Sequence, residues 1–147
     1  RKSFDRLVTE RIFRPCGMKR STFSSDRAIN PFSGALSTSA DMLKFLEMLL
    51  NKGMAGSKKV LAAESVAEMQ KIQTGNARVA FVPAQAQGYQ YGLGNWASGS
   101  GEFMNPALSG GWAVINVSKN LGVVVIGEMK GKEDLKEPYL QIIRSAE

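Results

Sequence analysis

Residues 103–129 restrict the fold of this chain more than any other stretch. A bent approach, Met104-Asn105-Pro106-Ala107-Leu108-Ser109-Gly110-Gly111-Trp112, leads into two apolar runs, residues 111–117 and 121–129, separated by Ser118-Lys119-Asn120. Two strand-length apolar runs around a short polar turn are expected to pair as an antiparallel hairpin. The near-continuous Val123-Val124-Val125-Ile126 is expected to be covered on both faces, because a strand wetted on one face alternates apolar with polar residues. The flanking chain therefore has to supply the cover.

Upstream, that cover is helical. Phe4, Leu7, Val8 and Ile12 share one helical face over residues 3–14, Asp5, Arg6 and Glu10 lie off it, and Pro15 with Gly17 ends the helix. Cys16, between them, reads as a small packed hydrophobe, since the chain has no His to activate a thiol. Residues 19–32 are polar and Ser-rich and end in Asn30-Pro31, as a surface connection does. Thr38 then caps the clearest helix, with Asp41 in capping-box position. Met42, Phe45, Leu46, Leu49 and Leu50 keep its apolar spacing, and Gly53 suits its left-handed terminus.

A third, weaker helix is expected at 63–72, with Val66, Met69 and Ile72 inward. Residues 74–88 have no period and form a long loop, of the kind that often makes a functional rim. Tyr89, Tyr91 and Leu93 alternate with Gln90, Gly92 and Gly94 in a half-buried strand that turns at 98–101. In the tail, Leu135, Tyr139, Ile142 and Ile143 share a helical face, with Pro138 as a first-turn proline. Helices, then three or more antiparallel strands, then a covering helix make an α+β pattern. The single domain is expected to divide into a mainly helical part (1–75), a loop (76–88), strands (89–131) and a C-terminal helix (132–147).

A length of 147 residues with 44% hydrophobic content suits one globular domain. The net charge is +6, yet Lys and Arg are scattered among acids and form no run or stripe, so no nucleic-acid partner is expected. The longest apolar run, 123–126, is far short of the ~20 residues of a spanning helix, so no membrane span is expected, and no targeting leader is visible. One Cys and no His exclude an intrachain disulfide and a Cys-rich zinc site. They also remove the commonest metal ligand and general base, so no cofactor or metal is expected. Any proton transfer must use Lys, Tyr, a carboxylate or groups outside these residues.

Three strings then occur in a telling order: Phe13-Arg14-Pro15-Cys16-Gly17-Met18-Lys19-Arg20-Ser21-Thr22-Phe23, then Asn30-Pro31 with Gly34-Ala35-Leu36-Ser37-Thr38-Ser39-Ala40-Asp41-Met42, then Tyr91-Gly92-Leu93-Gly94-Asn95-Trp96. Together they resemble the serine β-lactamase-like family, which includes class C β-lactamases, D-alanyl-D-alanine carboxypeptidases of the penicillin-binding protein type, and related esterases. The resemblance implies part of the β-lactamase/transpeptidase-like fold and hydrolysis of an amide or ester through an acyl-enzyme. That mechanism needs a Ser-x-x-Lys, which sets the nucleophile one helical turn from the Lys that takes its proton. It also needs a Tyr-x-Asn, and a Lys-Thr-Gly or His-x-Gly on a sheet strand.

No Ser here is followed three residues later by Lys, and no Tyr two residues later by Asn. In the family both motifs precede the stretch that residues 1–18 resemble, so the chain is expected to be the C-terminal part of a longer protein and inactive alone. The third motif falls inside it: Asn105-Pro106-Ala107-Leu108-Ser109-Gly110, followed by Trp112, takes the place of His-Pro-Gly-x-x-Gly. The resemblance gives catalytic roles to Asn105 and to the backbone N–H of Leu108, as the second oxyanion donor, and substrate contacts to Pro106, Ala107 and Ser109. Two residues depart from the pattern. Asn105 stands where His or Lys is usual and carries no charge for a substrate carboxylate, and Ala107 adds a methyl where Gly is usual.

These departures keep other readings open: a catalytically degenerate binding or interaction protein with the same fold, a plain turn at Asn105-Pro106, or a fragment with no function of its own. The partners implied are a small-molecule or peptide substrate, held jointly with the rest of the parent chain, and self-association through a sheet edge left open by missing strands. Family habit points to the bacterial periplasm or secretion. Three further strings imitate motifs. Ser118-Lys119-Asn120 is a hairpin tip, Gln73-Thr74-Gly75 leads from a helix into a loop, and Gly99-Ser100-Gly101 lacks the nucleophile-elbow spacing.

Overall fold

Ser3 opens a helix whose apolar residues turn toward one side, and Pro15 limits how far it can run. A computed structural model of the chain describes residues 2–24, 29–31, 34–83, 86–106, 111–127, 141–142 and 145. The first helix, α1 (Phe4–Val8), passes into a π-helical turn, Thr9–Phe13, in which the Arg14 N–H donates to Thr9 O at 2.9 Å. One regular helix over 3–14 was the expectation; the widened turn replaces its second half. It carries Phe13 inward to stack on Phe23, ring centroids 5.9 Å apart. Cys16 and Met18 are buried behind it, and burial pushes the Cys16 thiol up, as a packed hydrophobe requires.

Residues 19–32 are more than a surface connection. Thr22–Phe23 (β1) pairs antiparallel with Ala35–Leu36 (β2), and Arg20 and Ser21 anchor the next helix, α2 (Ser39–Leu50). Thr38 caps α2 as expected, its Oγ1 accepting the Asp41 N–H at 3.2 Å. The reciprocal half of a capping box is not formed, because Asp41 turns to partners twenty residues away. Its Oδ2 accepts from the Arg20 N–H at 2.6 Å and Ser21 Oγ at 2.9 Å, and its Oδ1 accepts from Lys44 Nζ at 2.9 Å. Burial pushes the Asp41 carboxyl up, but the hydrogen bonds from Lys44, Arg20 and Ser21 and the charge of Lys44 outweigh it and hold the pKa below the usual range. Gly53 (φ +92°) ends the helix, where a Cβ would sit 2.4 Å from Leu61 O.

A small hairpin, β3 (Met54–Ala55) with β4 (Lys58–Lys59), leads to α3 (Ala63–Met69). Val66 is buried in α3, but the helix ends before Ile72, which is 37% exposed rather than inward. The loop that follows carries no strand or α-helix among its described residues, and Val82 and Ala86 pack it against the far face of the main sheet.

That sheet is antiparallel, five-stranded and in sequence order: β5 (Gln90–Tyr91), β6 (Trp96–Ala97), β7 (Glu102–Pro106), β8 (Trp112–Asn116) and β9 (Leu121–Val125). The single strand expected through Leu93 is two strands, since Gly94 (φ +77°) folds residues 92–95 into a turn that leaves Leu93 half exposed. The β8–β9 hairpin forms around Ser118-Lys119-Asn120, with Asn120 in the left-handed region (φ +49°). Because strand side chains alternate, Ala113, Ile115 and Val124 face α2 while Trp112, Val114 and Val123 face the other way. The first group joins Phe13, Leu46, Met48, Leu49 and Val66 in one core, and the second joins Trp96, Met104 and Ala86 in another. Gly122 lets α2 come close, since a Cβ there would lie 3.3 Å from Leu46 Cβ.

Among the described residues β9 pairs only with β8. Its two faces are covered as expected, Val124 packing against the first core and Val123 and Val125 against the second, while Ile126 just beyond it is 51% exposed. Most of the tail helix expected at 132–147 lies outside the described residues.

Candidate functional site

β7 ends at Asn105-Pro106, the pair singled out in the sequence. Asn105 stands in register with Ala113 and Pro106 with Trp112, so Asn105 shares with Phe103 the face that α2 and α3 cover. The Asn105 side chain is exposed and donates one amide hydrogen to Gly94 O at 2.8 Å. Gly94 belongs to the 92–95 turn, closed by the Gly92 N–H on Asn95 O at 2.8 Å. Asn95 ties that turn to α3, its Nδ2 donating to Met69 O at 2.8 Å while its buried Oδ1 meets no hydrogen-bond partner. A two-step relay of carboxamides therefore fixes Asn105 relative to the end of α3. What Asn105 offers a ligand is its second N–H and its Oδ1, both neutral.

Beside this strand a cavity of about 420 Å³ opens between the sheet and the helices. Its apolar wall is made by Met42, Phe45, Leu46, Leu49 and Val66 from the helices and Phe103, Ala113, Ile115, Val124 and Ile126 from the sheet side. Among the described residues its polar side chains are Ser37, Gln70, Asn95 and Asn105, and none that lines it is ionisable. The volume is that of a small-molecule site, but its described residues include no nucleophile with a base beside it. Among the described lining residues Ser37 carries the hydroxyl, and its Oγ pairs with Ser21 Oγ at 2.8 Å rather than with an amine. Among the described residues no three of His, Cys, Asp or Glu gather as a metal would require.

Of the residues singled out in the sequence, Asn105 and Pro106 are thus placed at the end of β7, with Asn105 on the cavity lining. Ala107, Leu108 and Ser109 lie outside the described residues. Gln70, Ser37 and Asn95 were not anticipated as lining. The string Tyr91-Gly92-Leu93-Gly94-Asn95-Trp96 marked the place of Asn95, but nothing in it marked the hydrogen bonds.

The Beta-lactamase family model matches residues 1–143. The chain belongs to the beta-lactamase family. No curated protein matches it. Among solved structures, this family member resembles a candidate beta-lactamase from Bacteroides dorei, with a TM-score of 0.79 and 23% identity over 99% of this chain and 52% of that one. It also resembles a beta-lactamase from Mycobacterium bovis, with a TM-score of 0.64 and 22% identity over 87% of this chain and 50% of that one. At these identities the likeness is one of fold, and it is the α+β fold expected from the sequence. The chain spans about half the length of either structure. No described helix is long and apolar enough to cross a membrane.

Proposed function

We propose that this chain is one wall of the active site of a longer serine hydrolase, which opens an amide or ester through an acyl-enzyme, and that the nucleophile and its base lie in the part of the protein not present here. The observation that carries this reading is the position of Asn105-Pro106, at the end of a sheet strand beside a cavity, in a chain of this family that spans half the length of its structural neighbours. In this reading the Leu108 backbone N–H is the second oxyanion donor, which needs geometry and no particular side chain. Asn105, Pro106, Ala107 and Ser109 contact the substrate, and Asn105 orients the acyl group through a neutral hydrogen bond.

A second reading, a catalytically degenerate binding protein, draws support from Asn105 itself, which spends one amide hydrogen on Gly94 O and carries no charge. The two readings separate on the longer protein. Serine hydrolysis predicts burst kinetics with an activated ester or a cephalosporin, and Asn105→His then changes the ratio of anionic to neutral substrate turnover by about tenfold, the scale of one charge-assisted hydrogen bond. No burst with either substrate, together with retained peptide or glycan binding that Asn105→His leaves alone, would leave the binding reading standing.

A further inference from the structure

β7 outruns its neighbour at the candidate site. Trp96, the first residue of β6, pairs with Met104, so Asn105 and Pro106 have no strand on their β6 side among the described residues. Backbone groups alternate between the two sides of a strand. Gly101 O accepts from the Val117 N–H on the β8 side and Glu102 O from the Ser98 N–H on the β6 side, so the Pro106 carbonyl also points to the β6 side. Pro106 has no N–H to set beside it. The open edge thus presents a carbonyl oxygen and the neutral carboxamide of Asn105, which repel a carboxylate or hold it weakly.

The turn of residues 92–95 borders this edge, and it is fixed from two sides. Asn105 Nδ2 donates to Gly94 O, and Asn95 Nδ2 donates to Met69 O, each at 2.8 Å, while Gly92 packs so close to Lys71 O that a Cβ would lie 2.7 Å from it. Leu93 is carried on this pinned turn 50% exposed, and it joins neither hydrophobic core among the described residues. A turn favours Gly, Asn, Asp or Ser and has no use for a leucine, so Leu93 gains its burial only when something apolar covers it. Tyr91, two residues earlier, is 38% exposed, and Ile72, whose neighbour Gln73 donates its N–H to Tyr91 O at 3.0 Å, is 37% exposed. Glu68 and Lys71, at the end of α3 beside the turn, pair with each other at 2.6 Å and leave no net charge there.

We infer that Leu93 is a specificity-determining residue of the proposed active site, and that the substrate is an ester or amide whose acyl group is uncharged and apolar and rests on the 92–95 turn beside Asn105. The inference rests on the hydrolase reading above and names the substrate class of that site.

The test uses the longer protein and two p-nitrophenyl esters with the same leaving group, of phenylacetate and of 4-carboxyphenylacetate. The parent should prefer the uncharged ester. Leu93→Lys should move the ratio of kcat/KM about tenfold toward the carboxylate ester. Leu93→Ser should cost the uncharged ester about fivefold, chiefly in KM. Val117→Ser, at an exposed position on the β8–β9 hairpin, is the control and should move neither. A parent that prefers the carboxylate ester, or a ratio that Leu93→Lys leaves in place, would overturn this inference while leaving the hydrolase reading intact. If neither ester is hydrolysed, the proposed activity falls, and binding decides the rest. On addition of phenylacetamide, the Leu93 methyl resonances should shift and those of Val117 should not; unmoved Leu93 methyls would overturn the inference as well.

Discussion

Gly92→Ala probes the relay that holds Asn105. Gly92 is buried in the turn after β5, and a Cβ there would lie 2.7 Å from Lys71 O, 3.0 Å from Asn95 Oδ1 and 3.3 Å from Met69 O. Two of these are backbone oxygens at the end of α3, which cannot swing away as a side-chain tip does. Crowding of this kind costs about 1–3 kcal/mol, and displacing the Asn95 carboxamide from Met69 O costs about 0.5–1.5 kcal/mol more. The loss of backbone freedom in the unfolded chain offsets about 0.4–1 kcal/mol of this. The expected destabilisation is about 1–3 kcal/mol, which lowers a urea midpoint by about 1 M at a typical slope. Gly99→Ala is the control, since nothing lies within 4 Å of a Cβ there, and it should stay within about 0.5 kcal/mol of the parent. In nitrogen-edited NMR spectra the Asn105 side-chain amide should shift in Gly92→Ala and not in Gly99→Ala. Equal midpoints for the two variants, with an unmoved Asn105 amide, would refute the relay.

Asp41→Asn addresses acid stability. A carboxyl held below its unfolded pKa, near 4, contributes stability that is complete above that value and lost as pH falls through the folded pKa. The variant should therefore be less stable at neutral pH and lose less than the parent between pH 5 and 2 in denaturant melts; parallel pH profiles would contradict the assignment. For Tyr89, burial, the hydrogen bond to Glu102 and the charge of Glu102 raise the phenol above its ordinary value. Its contribution is whole below pH 10 and lost as pH rises toward the folded pKa. Absorbance titration should show a late-ionising tyrosine that Tyr89→Phe removes, and a titration unchanged by the substitution would reject the pairing.

The helix α2 was legible because two local signals agreed: Thr38 at its start and an unbroken apolar spacing to Leu50. The β8–β9 hairpin was legible for the same kind of reason, with Ser118-Lys119-Asn120 between two apolar runs. What failed was non-local. Asp41 looks like a capping-box partner of Thr38, and only the fold brings Arg20 and Ser21 close enough to claim its carboxylate. The alternation of Tyr89, Tyr91 and Leu93 reads as one strand until Gly94 takes a positive φ. The valines of residues 123–125 do lie between two cores, Val124 on one and Val123 and Val125 on the other, but their composition says nothing of which strand stands beside them. For the candidate site, the resemblance drew attention to Asn105-Pro106, and the structure places Asn105 on the cavity lining. The cavity itself could not be found in the sequence, since apolar residues such as Phe45 and Ala113 keep the same spacing whether they face a packed core or a void.

Covalent labelling of the longer protein tests the central claim most directly. After reaction with a fluorophosphonate or a penicillin, digestion and mass spectrometry should find a single adduct on a serine outside residues 1–147, in a Ser-x-x-Lys sequence. An adduct on a serine within this chain, or no adduct in protein that hydrolyses neither ester nor lactam, would contradict the account of the chain as one wall of a serine hydrolase.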